Sequence, residues 1–291
     1  MTEKVILDCD NSMGILLNEV DDGLTILYLL GVSEIELMGI TTTFCNAPIG
    51  KVYTKTVQLA NKLHLNLPIH KGESRKEQGY AFTPAAKFLV EKVNQFPNEI
   101  SLLATGPLGN LYAATKLDTG FYQKVKRIAV MGGYLSPLKL GYRCLGEMNF
   151  SANPAASLDV LSAPCPITIF SAQACLDAPY RIKDIFQADY WPGWIKLTLL
   201  QWLLTFGLYT GELVFYLWDL LPAVFLTEPH LFNLQPFHLG STLADLAQGI
   251  LIRGHTASHP EVLVCSGIKD QTGFFNKLDE TWRHACKIYS I

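Results

Sequence analysis

The sequence predicts an α/β fold in which an open, mostly parallel sheet is flanked by helices, within one domain over residues 1–291. Two observations support this prediction. Short, almost wholly apolar runs alternate with longer segments that are compatible with helices, a pattern typical of parallel strands covered on both faces. The composition, with 49% hydrophobic and 17% charged residues in 291, is that of a globular chain long enough to bury a large core.

Five runs of apolar and β-branched residues are predicted to be the strands, in chain order 4–8, 35–43, 100–105, 127–133 and 167–171. The helix-compatible segments between and after them lie near 22–31, 50–63, 84–95, 107–116 and 154–162. Polar or turn residues follow several strands, as in the Thr-Gly-Pro that ends the third. Ligands bind outside the carboxyl ends of strands in open parallel sheets, so we expect the functional site at that edge.

The pattern becomes helical and aromatic between about residues 176 and 230. Residues 197–211 carry no charge, but this run is shorter than the roughly 20 residues that a membrane-spanning helix needs. A buried core helix is therefore predicted there, and no membrane partner. Residues 274–289 place large side chains at steps of three or four, which indicates an amphipathic helix that closes the domain; these side chains are Phe275, Leu278, Trp282, Cys286 and Tyr289.

Charge and cysteine content narrow the function classes. The formal net charge is −3 and there is no basic run, so the sequence gives no reason to expect a nucleic-acid partner. The seven cysteines form neither C-x-x-C nor zinc-spaced Cys/His pairs, which fits isolated thiols in a reducing compartment. The N-terminus carries acidic residues where a secretion signal needs an apolar core, and a cytoplasmic location is predicted.

The stretch DCDNSMGILLNEVDDG, residues 8–23, concentrates carboxylates where the first predicted strand ends. Such groups repel one another unless a cation or shared protons compensate. A set of oxygen ligands without His or Cys suits a hard cation, Ca²⁺ or Mg²⁺, and Asp21 and Asp22 open a helix whose positive N-terminal end would face the cluster. As an alternative, aspartates at strand ends are often turn formers and caps.

The same stretch allows a phosphatase interpretation. VILDCDNS is similar to the first motif, D-x-D-x-[ST], of haloacid-dehalogenase-like phosphatases, in which Asp8 would be the nucleophile and Asp10 the acid/base, with Mg²⁺ bound. That interpretation requires a second acidic pair later in the chain. The sequence contains no persuasive G-D-x-x-x-D segment to supply it.

Six segments in order resemble another family, the nucleoside hydrolases, which are calcium-dependent N-ribohydrolases. They are VILDCD with DDGLTILYLL, GITTTFCNAPIGKVYTKTVQLA, LLATGPLGNLYAA, VMGG, GEMNFSANPAAS and FYLWDLLPAVFL. The resemblance covers nearly the whole chain. It implies a Rossmann-like nucleoside hydrolase fold, a homodimer or homotetramer, and cleavage of a ribonucleoside into ribose and free base in nucleoside salvage.

The resemblance also implies the roles of individual residues. Carboxylates of Asp10, Asp22 and Asp219 and the backbone carbonyl of Thr105 would hold Ca²⁺, and Asp10 would also be the general base for the attacking water. The sugar would be held by Asp21, Asn46, Glu147 and Asn149, above a floor formed by Met131.

Trp218 precedes the last metal aspartate, where the inosine–uridine-preferring branch of the family has a histidine. An indole there resembles the purine-preferring branch, in which it stacks on the base. The alternative is a core aromatic side chain beside Phe215 and Tyr216.

The chain departs from the family pattern in one place. Residues 11–20, here called the extended loop, separate Asp10 from Asp21, where the family usually has three residues. A long loop costs little closure entropy, but a displaced Asp21-Asp22 pair would leave a non-catalytic relative that binds a nucleoside or sugar.

Residues 71–83 are polar and turn-rich, as in a mobile lid or an ordinary surface loop. Tyr80 in this segment, or His238, is a weaker candidate for contact with the base.

Overall fold

The computed structural model describes residues 2–75, 82–254 and 259–290, and within these residues twelve strands form one large sheet and two small pairs. Their bounds are β1 (Glu3–Cys9), β2 (Ile35–Thr42), β3 (Ile69–Lys71), β4 (Ile100–Ala104), β5 (Arg127–Met131), β6 (Lys139–Leu140), β7 (Arg143–Cys144), β8 (Ile167–Phe170), β9 (Pro179–Tyr180), β10 (Phe215–Tyr216), β11 (Phe232–His238) and β12 (Glu261–Ile268). The large sheet has the order β11-β12-β8-β5-β4-β1-β2-β3.

All neighbours in this sheet are parallel except β11, which runs antiparallel to β12 at one edge. The α/β prediction with a mostly parallel sheet is confirmed, and the five predicted strands are β1, β2, β4, β5 and β8. The sequence pattern missed β3, which has only three residues, and the edge pair β11 and β12. The β11 segment contains Pro236 and alternates irregularly, as an edge strand can.

The helices are α1 (Asp21–Gly31), α2 (Ile49–Lys62), α3 (Pro84–Gln95), α4 (Gly109–Leu117), α5 (Pro154–Leu161), α6 (Ala172–Cys175), α7 (Ile182–Gln187), α8 (Gly193–Thr210), α9 (Leu220–Phe225), α10 (Leu243–Leu246) and α11 (Gln271–Ile288). Two short 3₁₀ turns complete the described elements. Helices α3, α4, α5 and α10 pack in the core on one face of the sheet, and α1, α2, α8, α9 and α11 in the core on the other.

Alternation along β1 explains these two cores. Val5, Leu7 and Cys9 are buried in one and Ile6 in the other, as expected when successive side chains of a strand point to opposite faces. A strand covered on both sides needs apolar residues at every position, which is why its sequence shows no polar alternation.

The terminal helix α11 closes the core on the α1 face, as predicted. Phe274, Leu278 and Trp282 are fully or almost fully buried. The Trp282 indole Nε1 donates a hydrogen bond of 3.0 Å to the backbone carbonyl of Leu24 in α1. The partner satisfies the one polar atom of a large buried side chain, so the indole can lie in the core at little polar cost.

Helix α8 does not match its prediction as a buried core helix. One side is buried, through Ile195, Leu199 and Leu203, whereas Leu204 and Leu208 on the other are 54% and 81% exposed. From residue 197 onward the helix carries no charge, yet one of its sides lies at the surface, so a lack of charge does not indicate burial. Among the residues described, no helix has both the length and the apolar character to cross a membrane.

Candidate active site

The carboxyl ends of the central strands open into a cavity of about 460 Å³, a volume typical of small-molecule sites. Asp10 directly follows β1, Asn46 lies in the loop after β2, Thr105 follows β4 and Met131 ends β5. Nine of the ten residues singled out in the sequence line this cavity, namely Asp10, Asp21, Asn46, Thr105, Met131, Glu147, Asn149, Trp218 and Asp219. The tenth, Asp22, lies buried behind them.

Four carboxylates meet at the inner end of the cavity and are here called the carboxylate cluster: Asp10, Asp21, Asp22 and Asp219. Each is at most 4% exposed. The carboxyl of Asp22 is a hydrogen-bonding neighbour of those of Asp10 and Asp219, and Asp21 is a neighbour of Asp219. The extended loop therefore returns Asp21 and Asp22 to Asp10 and does not separate them.

Burial dominates the electrostatics of the cluster. Loss of solvent raises the pKa of Asp21 to about 6 and that of Asp22 to about 7, and the charge of Asp21 adds to the effect on Asp22. Desolvation first, and then the neighbouring aspartates, raise the pKa of Asp10 and Asp219 well above their usual range. Without a positive partner, the cluster is more stable with some of its carboxyl groups protonated.

The oxygen atoms of the cluster fit a hard cation. Neither carboxylate oxygen of Asp21, nor Oδ2 of Asp22, receives a hydrogen bond from a donor, although buried polar atoms normally have partners. The described side chains do not form a ready-made group of three metal ligands of the His, Cys, Asp or Glu type. What fits is the donor set, oxygen atoms alone, several of them anionic and without partners, which is what Ca²⁺ prefers.

Asp8 is not part of the cluster. Its Oδ1 accepts hydrogen bonds from Thr41 Oγ1 at 2.6 Å and from Asn110 Nδ2 at 2.7 Å, and the side chain is 1% exposed and does not line the cavity. Burial raises its pKa to about 7. Asp8 therefore ties β1 to β2 and to α4. A nucleophile must reach its substrate, so this position does not favour the phosphatase interpretation.

The Glu147 side chain holds the loop in which it lies, residues 145–153, here called the Glu147 loop. The Glu147 carboxylate lies at the cavity wall and accepts hydrogen bonds from four backbone N–H groups, those of Gly133, Asn149, Phe150 and Ser151. Burial raises its pKa, and the four amides oppose that effect. This arrangement fixes the loop in place and leaves Glu147 as an anionic acceptor beside the cavity.

Two amide side chains complete the polar part of the cavity. Asn149 Nδ2 donates to the backbone carbonyls of Thr105 at 3.1 Å and Met131 at 3.0 Å. The backbone N–H of Asn46 donates to Asp10 Oδ2 at 2.6 Å. Asn46 thereby orients Asp10, while its side-chain amide stays at the cavity surface.

Aromatic rings also line the cavity. Trp202 and Phe206 project from α8 with ring centroids 5.4 Å apart, and Trp218 packs against Tyr216 at 5.3 Å. We use the name aromatic wall for the rings that line the cavity, which are Tyr134, Trp202, Phe206, Tyr209 and Trp218. The sequence pointed to Trp218 alone, because a helix that is apolar on nearly all sides gives no sign of which of its aromatic side chains face a cavity.

The remaining candidates lie away from this cavity or outside the described residues. Residues 76–81 of the proposed lid, and with them Tyr80, are outside the described part of the chain. His238 ends β11 and lies opposite Glu261, the first residue of β12. Since β12 is parallel to the central strands, His238 lies at the opposite edge of the sheet from the carboxylate cluster and cannot contact a bound base.

Comparisons with known proteins agree with this geometry. The chain is 32% identical over 218 residues to a probable uridine nucleosidase 1 of Oryza sativa subsp. japonica, covering 64% of this chain and 63% of that protein. It is 24% identical over 191 residues to the pyrimidine-specific ribonucleoside hydrolase RihB of Escherichia coli, covering 57% and 58%. The chain thus spans less than two thirds of the length of these relatives.

Solved structures extend the likeness to almost the whole chain. A plant nucleoside hydrolase, the PpNRh1 enzyme, superposes with a TM-score of 0.84 at 19% identity, over 97% of this chain and 99% of that one. A purine-preferring ribonucleoside hydrolase from Gardnerella vaginalis gives 0.83 at 21% identity, over 98% and 100%. The sequence model of the family described as inosine-uridine preferring nucleoside hydrolase matches residues 5–276. The chain belongs to the nucleoside hydrolase family.

Proposed function

We propose that the protein hydrolyses the N-glycosidic bond of ribonucleosides and releases ribose and the free base. The observation that carries this proposal is the two-part cavity, in which the carboxylate cluster and the aromatic wall face the same space. A nucleoside has the same two parts, a polyhydroxylated sugar and a flat base. Its sugar would occupy the carboxylate end and its base the aromatic end.

Calcium is the cation that we propose for the carboxylate end, held by Asp10, Asp22, Asp219 and the backbone carbonyl of Thr105. When bound, Ca²⁺ supplies coordination sites for sugar hydroxyls and makes a water molecule more acidic. The buried oxygens of Asp21 and Asp22 that lack donors support this choice. Asp21 would then accept hydrogen bonds from sugar hydroxyls.

Asp10 is the general base in this proposal. Its Oδ2 accepts a hydrogen bond from the Asn46 N–H, which fixes the carboxylate at the cavity surface where it would take a proton from water. Cleavage of the C–N bond develops oxocarbenium character on the sugar, as in other glycoside hydrolysis. The nearby anionic groups, Asp21 and Glu147 among them, would stabilise that positive charge.

The base would lie against the aromatic wall. We propose a preference for purines, because Trp218 occupies the position before the last metal aspartate and presents an indole to the cavity. The named relatives are described by different bases, the rice protein as a probable uridine nucleosidase and the Gardnerella vaginalis structure as a purine-preferring ribonucleoside hydrolase. Base stacking on an aromatic ring contributes about 1–3 kcal/mol, and a two-ring base gains more contact than a one-ring base.

We further propose that the enzyme acts in cytoplasmic nucleoside salvage as a homodimer or homotetramer. The exposed leucines of α8, Leu197, Leu204 and Leu208, support an assembly, because contiguous apolar side chains at a surface often mark contacts between subunits.

The test is the release of reducing sugar from inosine, guanosine, adenosine, uridine and cytidine, with added calcium and with a chelator. The proposal expects release that calcium restores after chelation, fastest with the purine nucleosides. Release that persists in chelator would contradict the role of calcium. Calcium and ribose binding without any release would identify a non-catalytic relative, and release of phosphate from phosphate esters with Mg²⁺ would favour the phosphatase.

A further inference from the structure

Hydrogen bonds fix the extended loop at both of its ends. At its start, the Asn11 side chain donates to Thr56 Oγ1 at 3.3 Å and accepts from the Met13 N–H at 3.0 Å, and Met13 is buried. The Ser12 hydroxyl donates across the loop to the backbone carbonyl of Glu19 at 2.9 Å. These contacts fix the backbone on both sides of the tip.

The far end of the loop faces the cavity. Asn18 Nδ2 donates to the backbone carbonyl of Asn46 at 2.6 Å, and Leu17, Asn18 and Glu19 line the cavity. Leu17 has a positive φ of 66°, a conformation that costs free energy for a non-glycine residue and turns the chain so that the next two residues face inward. The loop thus adds a wall to the cavity on the side of Asn46.

Glu19 is the carboxyl residue that this wall contributes, and burial first, then the charges of Asp21 and Asp22, raises its pKa to about 8. Its carboxylate is a hydrogen-bonding neighbour of the Asn46 side chain and lies close enough to Asp21 and Asp22 for their charges to act on it. Its backbone position is fixed by Ser12. Unlike the members of the carboxylate cluster, which are almost fully buried, Glu19 is partly exposed as a residue, and it lines the cavity.

The surroundings of Glu19 determine what it can bind. Among the described residues that line the cavity there is no Lys, Arg or His, so no cationic side chain of the cavity wall pairs with this carboxylate. A carboxylate has about four acceptor sites, and one amide neighbour leaves several for ligand hydroxyls. Glu19 lies close to Asp21 and Asp22, at the carboxylate end of the cavity, where the donors of a bound nucleoside would be sugar hydroxyls.

We propose that Glu19 is a substrate-binding residue whose carboxylate accepts a hydrogen bond from one hydroxyl of the sugar, beside Asn46. This inference rests on the proposed function, because it assumes that a ribosyl group occupies the carboxylate end. The extended loop then has a role in recognition, since it supplies a sugar contact that a three-residue connection between Asp10 and Asp21 could not provide.

The inference is tested by binding alone, with calcium-saturated protein and methyl β-D-ribofuranoside. This riboside lacks a base, and its methyl group keeps the ribose ring closed. Calorimetry compares the wild type with Glu19→Ala and the isosteric Glu19→Gln. Leu16→Ala serves as the control, because Leu16 lies on the same loop, is 64% exposed and does not line the cavity. Loss of this hydrogen bond should weaken binding about tenfold in Glu19→Ala, with Leu16→Ala unchanged. Equal affinity in all four proteins would overturn the inference.

Analogues of the riboside that lack the 2-, 3- or 5-hydroxyl locate the contact. In the wild type each missing hydroxyl should weaken binding, whereas in Glu19→Ala the loss at one of the three positions should disappear, as in a double-mutant cycle. The same three losses in both proteins would contradict the contact. A Glu19→Ala protein that binds calcium about tenfold more weakly, but binds the riboside normally once saturated, would assign Glu19 to the cation and overturn the inference.

These outcomes separate the inference from the proposed function. A wild type that binds the riboside and distinguishes Glu19→Ala, but releases no ribose from nucleosides, would disprove hydrolysis and retain the role of Glu19. A wild type that cleaves nucleosides while its affinity for the riboside is independent of Glu19 would support hydrolysis and overturn the role of Glu19. A wild type that does not bind the riboside at all would overturn the inference about Glu19.

Discussion

Asp8 and Asp10 are two residues apart, yet they have different surroundings. Asp8 lies within β1, where Thr41 and Asn110 donate to its Oδ1, and Asp10 lies just beyond the strand, at the cavity. A sequence shows that both follow an apolar run but not which one has partners in the neighbouring elements. For this reason the acidic cluster could be predicted, while the structural role of Asp8 could not.

The first prediction concerns Asp10. Asp10→Asn should lower kcat for inosine by a factor of about 10²–10⁴, because an amide cannot take the proton that a general base accepts. Steady-state kinetics at saturating calcium measures kcat, and circular dichroism confirms that the variant is folded. Asp118→Asn is the control, since it makes the same chemical change at a surface carboxylate that pairs with Lys124. Preserved turnover in Asp10→Asn would show that Asp10 is not the general base.

The second prediction concerns Trp218. Trp218→Leu should reduce kcat/KM for inosine about tenfold and for uridine much less, because a leucine cannot stack on a two-ring base. Trp194→Leu is the control, as this indole contacts Lys62 and does not line the cavity. An equal loss with both nucleosides would show that Trp218 supports the cavity without setting its preference.

At the scale of elements, the extended loop and α1 fit together through one contact. Gly23 lies in the first turn of α1, and a Cβ atom there would come under 3.0 Å from Met13 side-chain atoms. The loop can therefore pack its buried Met13 onto the start of the helix only because residue 23 has no side chain. This contact keeps Asp21 and Asp22 beside Asp10 despite the length of the loop.

The third prediction follows from this contact. Gly23→Ala should destabilise the protein by about 1–3 kcal/mol through overpacking, although alanine normally favours a helix. Urea unfolding at constant m-value measures the change. Gly50→Ala is the matched control, because it also lies in a helix and no atom would lie within 4 Å of its Cβ; its stability should be equal or slightly higher.

A double variant identifies the cause. In Met13→Gly the three side-chain atoms that would lie under 3.0 Å from a Cβ at residue 23 are all absent, so adding Gly23→Ala to it should cost clearly less than adding it to the wild type. If the cost is the same with and without Met13, the contact between the loop and the helix is not what requires glycine.

The elements also show where sequence patterns are sufficient. The parallel strands were predictable because both of their faces are buried, which leaves an uninterrupted apolar run. Strand β11 lies at the edge of the sheet, with β12 as its one neighbour, and polar residues interrupt the apolar pattern of both strands. Helix α8 has no polar face although Leu208 is exposed. Whether a side chain is exposed, in an edge strand or in an apolar surface helix, depends on the elements that pack beside it. The sequence of a single segment does not show which elements these are.

For the whole molecule, the formal net charge of −3 conceals an uneven distribution. The described surface carries ion pairs such as Lys4 with Glu99 and Arg127 with Glu3. The carboxylate cluster, by contrast, is buried, and the described residues that line its cavity include no cationic side chain. A fold that buries such a cluster is stable only if protons or a metal ion balance it. The site is therefore linked to the stability of the entire domain.

The fourth prediction is that this linkage appears in the pH dependence of unfolding. The pKa values of Asp21 and Asp22, raised by burial to about 6 and about 7, exceed their ordinary value of 3.8. The folded chain thus holds these protons more tightly than the unfolded chain. Their stabilisation is fully present below about pH 3.8 and is lost as the pH rises through 6 to 7. In chelator, Tm should therefore fall across that window.

Calcium should reverse this trend, because it replaces the protons as the compensating charge. At about 100 times its Kd a ligand adds about 2.7 kcal/mol of stability, or about 5 °C of Tm for a chain of this size. The gain should grow from pH 5 to pH 8, since protons compete with the cation at the lower pH. Scanning calorimetry of the wild type and Asp22→Asn, with calcium and with chelator, measures both effects. A calcium-induced shift that is independent of pH, or that is as large in Asp22→Asn, would mean that the cation binds away from the carboxylate cluster.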